Sequence, residues 1–228
     1  MSIKKSLKYL ISGINTYGTL KNDSYIYFTF SDVNLIEEIN METPSKNEPI
    51  KSLKKQAALN KNGILVENAG IVLLNNFIDI LFHRLKLTEE KKFTSTENQI
   101  KAVHCLQYLV TGLTYTDQDF LSLNKVLCGL SVNDTISNEF EMSEEKRSLI
   151  DGLLYAAIGY WPEAKDSSLT GFRGNWLIRE GNLIELEDKW ELTVQKRAYD
   201  ILLRKSPFYF SIVKYPWMNK PLHVIWQL

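Results

Sequence analysis

Apolar positions along the chain change their spacing from segment to segment, and each change marks a different kind of element. From Ala69 to Leu87 they fill nearly every helical face, and Asn75, Asp79, His83 and Lys86 recur every three or four residues as a polar stripe. That pattern predicts a buried helix with one narrow wet edge, preceded by a short strand over Ile64 to Glu67. Thr96 is placed to cap a second helix, with Ala102, Cys105, Leu106 and Leu109 facing inward and Gly112 at its exit. Thr116 caps a third: Asp117 and Asp119 suit the positive helix start, Phe120, Leu123, Asn124 and Leu127 share a face, and Gly129 ends it. Ser143 with Glu144 and Glu145 opens a fourth, whose doublets Leu149/Ile150, Leu153/Leu154 and Ala157/Ile158 run to Trp161-Pro162.

After Ser168 a shorter helix carries Phe172 and Trp176, and then the period falls to two. Ile184 and Leu186 alternate with glutamates, and Trp190, Leu192 and Val194 alternate with Glu191, Thr193 and Gln195. Setting Leu186 opposite Trp190 and Ile184 opposite Leu192 predicts a hairpin with the three-residue loop Glu187-Asp-Lys189. A short helix follows around Ala198 to Leu203, and Phe208 to Val213 and Leu222 to Trp226 complete the set as strands. The fold class read from this order is α+β, a mainly helical body followed by a small C-terminal antiparallel β-sheet. Ahead of it lie a basic amphipathic segment from Ile3 to Ile11, an aromatic strand from Tyr25 to Phe30 and a helix that Ser31 caps, running to Ile39. The lysine-bearing stretch Asn40 to Asn62, with Pro44 and Pro49, reads as a linker or exposed helix. The expected division is therefore a leader and linker over residues 1–62 and a main domain over 63–228.

Composition removes several functional classes. At 44% hydrophobic and 11% aromatic the 228 residues are not a disordered chain. Lys+Arg 27 balances Asp+Glu 27, so no charge excess draws the chain to nucleic acid or to an anionic membrane. Lys8 interrupts the apolar stretch near the start, which excludes a signal peptide, and no uncharged run reaches the roughly 18 residues of a membrane span. The expected setting is the cytoplasm.

Candidate chemistry is sparse. Asp79 and His83 stand one turn apart with Lys86 beyond them, but no nucleophile accompanies them and a solvated stripe accounts for all three. His104 and Cys105 are adjacent on a helix, so their side chains diverge by about 100° and form no catalytic pair. Cys105 and Cys128 lack the spacing of a metal or redox pair and read as buried thiols, and His223 reads as a surface or edge residue of a terminal strand. No metal or other cofactor is expected. Gly171-Phe-Arg-Gly174 is too short for a phosphate loop, and Arg173 and Arg179 are expected to satisfy nearby carboxylates or carbonyls. The aromatic C-terminal third suggests a sheet core and a protein interface. Within it Tyr215, Pro216, Trp217 and Met218 form the candidate anchor, Trp and Tyr supplying area and Pro216 limiting the entropy lost on docking; Trp217 suits the core equally well.

Several segments together resemble a known family. They are Val66 to Leu74 running into Phe77 and Leu81-Phe82, Ala102 to Gly112, Leu123 to Leu130, Trp161-Pro162, Gly171 to Gly181, Lys196 to Leu203, and Ile212 to Met218 closing on Val224-Ile-Trp226. This ordered set is similar to the C-terminal region of the tape measure proteins of contractile, phage-tail-like injection systems. The resemblance implies a non-enzymatic structural or assembly component of an injection particle, tape-measure-like, whose partners are the baseplate hub, spike or inner-tube proteins or a second copy of the chain. A chaperone or adaptor for particle assembly or cargo loading is the other role it allows. Where the family usually carries His-Pro within the first apolar helix this chain has Asn75-Asn76, and little of the family's long variable region precedes Gly63. About 60 residues of unbroken helix reach only about 90 Å, and Gly13, Gly18, Pro44 and Pro49 interrupt it. An anchoring domain or short tape-measure-like protein is therefore expected rather than a long ruler.

Overall fold

The computed structural model describes residues 63–138 and 140–227. The segments expected at Ile3–Ile11, Tyr25–Phe30, Ser31–Ile39 and Asn40–Asn62 lie outside the described residues. Strand β1, Ile64–Val66, leads into a 3-10 helix at Ala69–Leu74, which hands over to α1 at Asn75–Arg84. The apolar run is thus two short elements where a single helix is expected. All six residues of the 3-10 turn are buried, whereas α1 keeps Asn76, Ile80 and His83 exposed.

A polar hairpin that the apolar pattern does not predict follows, β2 (Thr88–Glu89) paired with β3 (Lys92–Phe93). Its turn residues Glu90 and Lys91 take φ of 47° and 61°, the primed geometry that matches strand twist. Helix α2, Thr96–Thr111, is capped by Ser95, one residue earlier than expected, whose Oγ accepts from Asn98 N at 3.1 Å. It leaves through Gly112 at φ 76°, as the sequence predicts. The third helix divides into a 3-10 turn, Gln118–Leu121, and α3, Ser122–Leu127. Its N-cap position is held by Asp117 instead of Thr116, and Gly129 closes it at φ 75°. Helix α4, Glu144–Tyr160, is capped by Ser143 and buries Ile150, Leu153, Leu154, Ala157 and Ile158. Ser168 caps α5, Leu169–Phe172, which widens into a π-turn over Arg173–Leu177.

Strands β4 (Gly181–Glu185) and β5 (Trp190–Val194) form the expected hairpin in a different register. Leu183 lies opposite Leu192 and Glu185 opposite Trp190, and Leu186 N donates to Lys189 O at 2.8 Å across the turn. The one-residue slip sends Leu183 inward and Ile184 outward, because side chains alternate faces. After a 3-10 helix at Ala198–Lys205 come β6 (Ile212–Val213), shorter than expected, and β7 (Leu222–Ile225). The sheet order is β1-β4-β5-β7-β6. β7 runs parallel to β5 and antiparallel to β6, so the sheet is mixed, and β1 joins its edge from the start of the domain. The α+β class holds, with a mixed sheet in place of an all-antiparallel one. His223 lies on an interior strand, half-buried between Glu191 and Ile212, rather than at an edge. No helix among the described residues is long and apolar enough to cross a membrane.

Candidate functional site

Of the polar residues that the sequence offers for catalysis, Cys105 and Cys128 come within electrostatic reach of one another, both buried. His83 is exposed on α1, while His104 is buried on α2 and stacks on Phe140 with ring centres 5.4 Å apart. Burial lowers the His104 imidazole below its ordinary value. Cys105 and Cys128 are free and buried; desolvation pushes the Cys105 thiol up to about 12 and the Cys128 thiol well above the usual range. Neither forms an appreciable thiolate at neutral pH, so both are expected to resist an aromatic disulfide reagent until the protein unfolds. Rapid labelling of the native protein would contradict their placement. Among the described residues no group of three or more His, Cys, Asp or Glu side chains is disposed to hold a metal ion.

The strongest polar constellation is a fully buried ion pair. The π-turn delivers Arg179 to the start of β4, and the 3-10 helix carries Asp200, both with fully buried side chains. Arg179 Nη1 donates to Asp200 Oδ1 at 2.9 Å and Oδ2 at 3.1 Å, and Nη2 donates to Asn175 O at 2.9 Å. Asp200 Oδ2 also accepts from Arg197 N at 2.8 Å and from Trp226 Nε1 at 2.9 Å. The rings of Trp226, Tyr199 and Trp176 lie 5.1, 5.5 and 6.0 Å from the guanidinium, a cage of cation–π contacts. Burial lowers the Arg179 pKa against the pull of Asp200. The pair is closed off from solvent and joins the π-turn, the 3-10 helix and the C-terminal strand.

Arg173 acts similarly. Its Nη2 donates to Asp151 Oδ1 at 2.7 Å and its Nε to Leu109 O at 3.0 Å, satisfying a carbonyl of the last turn of α2. Sequence reasoning foresees that Arg173 and Arg179 meet carboxylates or carbonyls, but the partners lie 22 and 21 residues away. A second buried network, invisible in the apolar pattern, joins Asn68 Nδ2 to Asn124 Oδ1 at 2.8 Å and Asn124 Nδ2 to Gln107 Oε1 at 3.0 Å.

The anchor segment divides. Tyr215 and Met218 are buried, Trp217 is half-buried and Pro216 is exposed. Trp217 Nε1 donates to Leu127 O at 2.9 Å, and its ring lies 5.1 Å from Phe93 and 5.7 Å from Phe82. A Cβ on Gly129 would stand 2.2 Å from Trp217 O, so this corner packs directly against the exit of α3. Nearby on the surface, Asn76, Phe77, Tyr160, Pro207 and Phe208 line an open aromatic depression of about 200 Å³.

A family model described as contractile injection system tape measure protein matches residues 30–226, most of the chain. The chain belongs to this family. Comparison with curated proteins and with solved structures returns no match. Membership associates the tape measure protein with the components of an injection particle. The blocks that carry the resemblance are those whose polar residues meet inside it. Arg179, Asp200 and Trp226 come from three of them, and Asn68, Gln107 and Asn124 from three others. Asn75-Asn76, which replaces the usual His-Pro, begins α1, and the first turn of a helix is where proline is tolerated. Here the Asn75 side chain donates Nδ2 to Tyr209 O at 3.3 Å, while its backbone carbonyl accepts from Tyr215 Oη at 3.1 Å.

Proposed function

We propose that this chain is a structural and assembly component of a contractile injection particle, made in the cytoplasm, that binds the baseplate hub, spike or inner tube. Residues 63–228 act as its docking domain. The observation that carries this reading is the family match over residues 30–226. The role is mechanical and not enzymatic, in keeping with a structural family. Mass spectrometry of purified mature particles tests it: the chain is expected at a fixed ratio to the hub. A chain needed for assembly but missing from mature particles would replace this role with that of a chaperone or adaptor.

The Tyr215–Met218 corner is part of the proposed docking surface through exposed Pro216 and the accessible edge of Trp217. Trp217→Ala is expected to cost about 3 kcal/mol in a denaturant melt, because the ring also packs on Phe82 and Phe93. Pro216→Ser is expected to leave the melt unchanged and to weaken co-purification with hub or tube proteins. Unaltered co-purification of the Pro216 variant removes this corner from the docking surface.

A further inference from the structure

A sheet packed on one side ordinarily turns polar residues to water on the other. The register sets Leu65, Asn182, Thr193 and Ile225 abreast on the outward face, with Ile184, Glu191, His223 and Ile212 in the next row. The opposite face carries Leu183, Leu192, Trp190 and Leu222 into the core. Several outward positions are nonetheless aliphatic: Leu65 is 53%, Ile212 58% and Ile225 40% exposed, and Ile184 is half-buried. They form two pairs, Leu65 and Ile184 on β1 and β4, and Ile225 and Ile212 on β7 and β6, flanking Thr193 and Glu191 of β5, and exposed aliphatic pairs rimmed by polar residues suit a contact surface.

The carboxylates of this face have no cationic partner among the described residues. Glu180 accepts from Gln195 Nε2 at 3.1 Å just past the end of β5, and burial, followed by the charge of Glu180, raises the Glu67 pKa. The ion pairs among the described residues lie elsewhere and leave Glu67, Glu180 and Glu191 without a cation. Asn182, in the aliphatic row, is 6% exposed and its Oδ1 has no hydrogen-bond partner. Gly63 lies over this amide, and a buried acceptor without a donor is costly. At the far end, around Leu186–Lys189, both signs are present and Lys220 is paired with Glu185 at 2.8 Å. Because the whole chain is neutral, with 27 basic and 27 acidic residues, the unpaired carboxylates are a local feature.

We propose that this outward sheet face docks a basic amphipathic helix of a partner protein. The helix would lay its apolar stripe over Leu65, Ile184, Ile212 and Ile225, and its Lys or Arg residues would meet Glu67, Glu180 and Glu191. Such a helix adds a layer to the side of the sheet that the described residues leave open, the standard way a sheet buries its second face. The surface is independent of whether the chain stays in the mature particle.

The test uses the full chain and a fluorescent Leu/Lys amphipathic peptide of about 18 residues, five helical turns, against a Leu/Glu peptide of the same pattern. In fluorescence anisotropy the Leu/Lys peptide is expected to bind and to weaken with added salt, with the Leu/Glu peptide at least about tenfold weaker. Glu180→Lys with Glu191→Lys is expected to lower affinity about tenfold. Ile225→Asp and, separately, Leu65→Asp are expected to remove measurable binding while each retains a cooperative melt, since both side chains reach the surface. Equal binding of the two peptides, or binding unchanged in all these variants, overturns the proposal. So does a wild-type dimer in sedimentation equilibrium that Ile225→Asp and Leu65→Asp both return to monomer, because a second copy then occupies the face.

Discussion

Replacing Asp200 with alanine is expected to lower the unfolding free energy by about 3–5 kcal/mol, since removal of one member strands a buried charge on the other. Arg179 is fully enclosed, and its remaining bonds, to Asn175 O and Gln195 O, reach neutral carbonyls that do not balance the charge. Asp200 also accepts from Arg197 N and Trp226 Nε1, so the substitution releases the first turn of the 3-10 helix and the C-terminal indole together. For a domain of this size the melting temperature is expected to fall by about 6–20 °C. Replacing both members, Arg179→Met with Asp200→Leu, is expected to recover much of the loss, because an apolar pair leaves no uncompensated charge. A double variant no more stable than Asp200→Ala, or a single variant that melts with the wild type, would show that the pair does not hold these segments.

A truncation ending at Pro221 is expected to be insoluble or to lose its cooperative melt. The deletion takes out β7 from the interior of the sheet: β5 loses its parallel neighbour, and β6 loses the strand it pairs with. It also removes Leu222 and Trp226, both buried, each contributing about 1.5–3 kcal/mol of apolar burial. With Trp226 gone, Asp200 loses the indole N–H donor and Arg179 the nearest ring of its cage. The newly open edge of β5 is a template for pairing with other copies, which favours aggregation. Circular dichroism against temperature on the soluble fraction checks this, and an undisturbed curve would mean that the tail contributes nothing to the fold.

The candidate site was legible in part. That Arg173 and Arg179 would be paired follows from the cost of a buried guanidinium, but identifying Asp151 and Asp200 requires the path of the chain. Asn68, Gln107 and Asn124 come from three elements, and nothing local in any of them announces that they meet. The aromatic richness of Tyr215 to Met218 fits an anchor or a core equally on sequence alone. Packing against Phe82, Phe93 and Leu127 places most of it inside.

Local chemistry in the sequence was sufficient wherever a side chain acts on its own backbone. Ser143 and Ser168 cap the helices they precede, and Gly112 and Gly129 end theirs in the left-handed region, because those interactions span four residues or fewer. The shift from helical to alternating period likewise announced an α+β chain. Register was not determined locally: Leu183 and Ile184 are adjacent aliphatics, so the alternation has two phases, and only the core decides that Leu183 turns inward. The turn at Glu90-Lys91 escaped because neither residue is one that favours positive φ; the pairing of β2 with β3 holds it there. The parallel pairing of β7 with β5 and the closure of Asp200 on Arg179 belong wholly to the tertiary structure, since each joins groups that approach one another only after the intervening chain has folded.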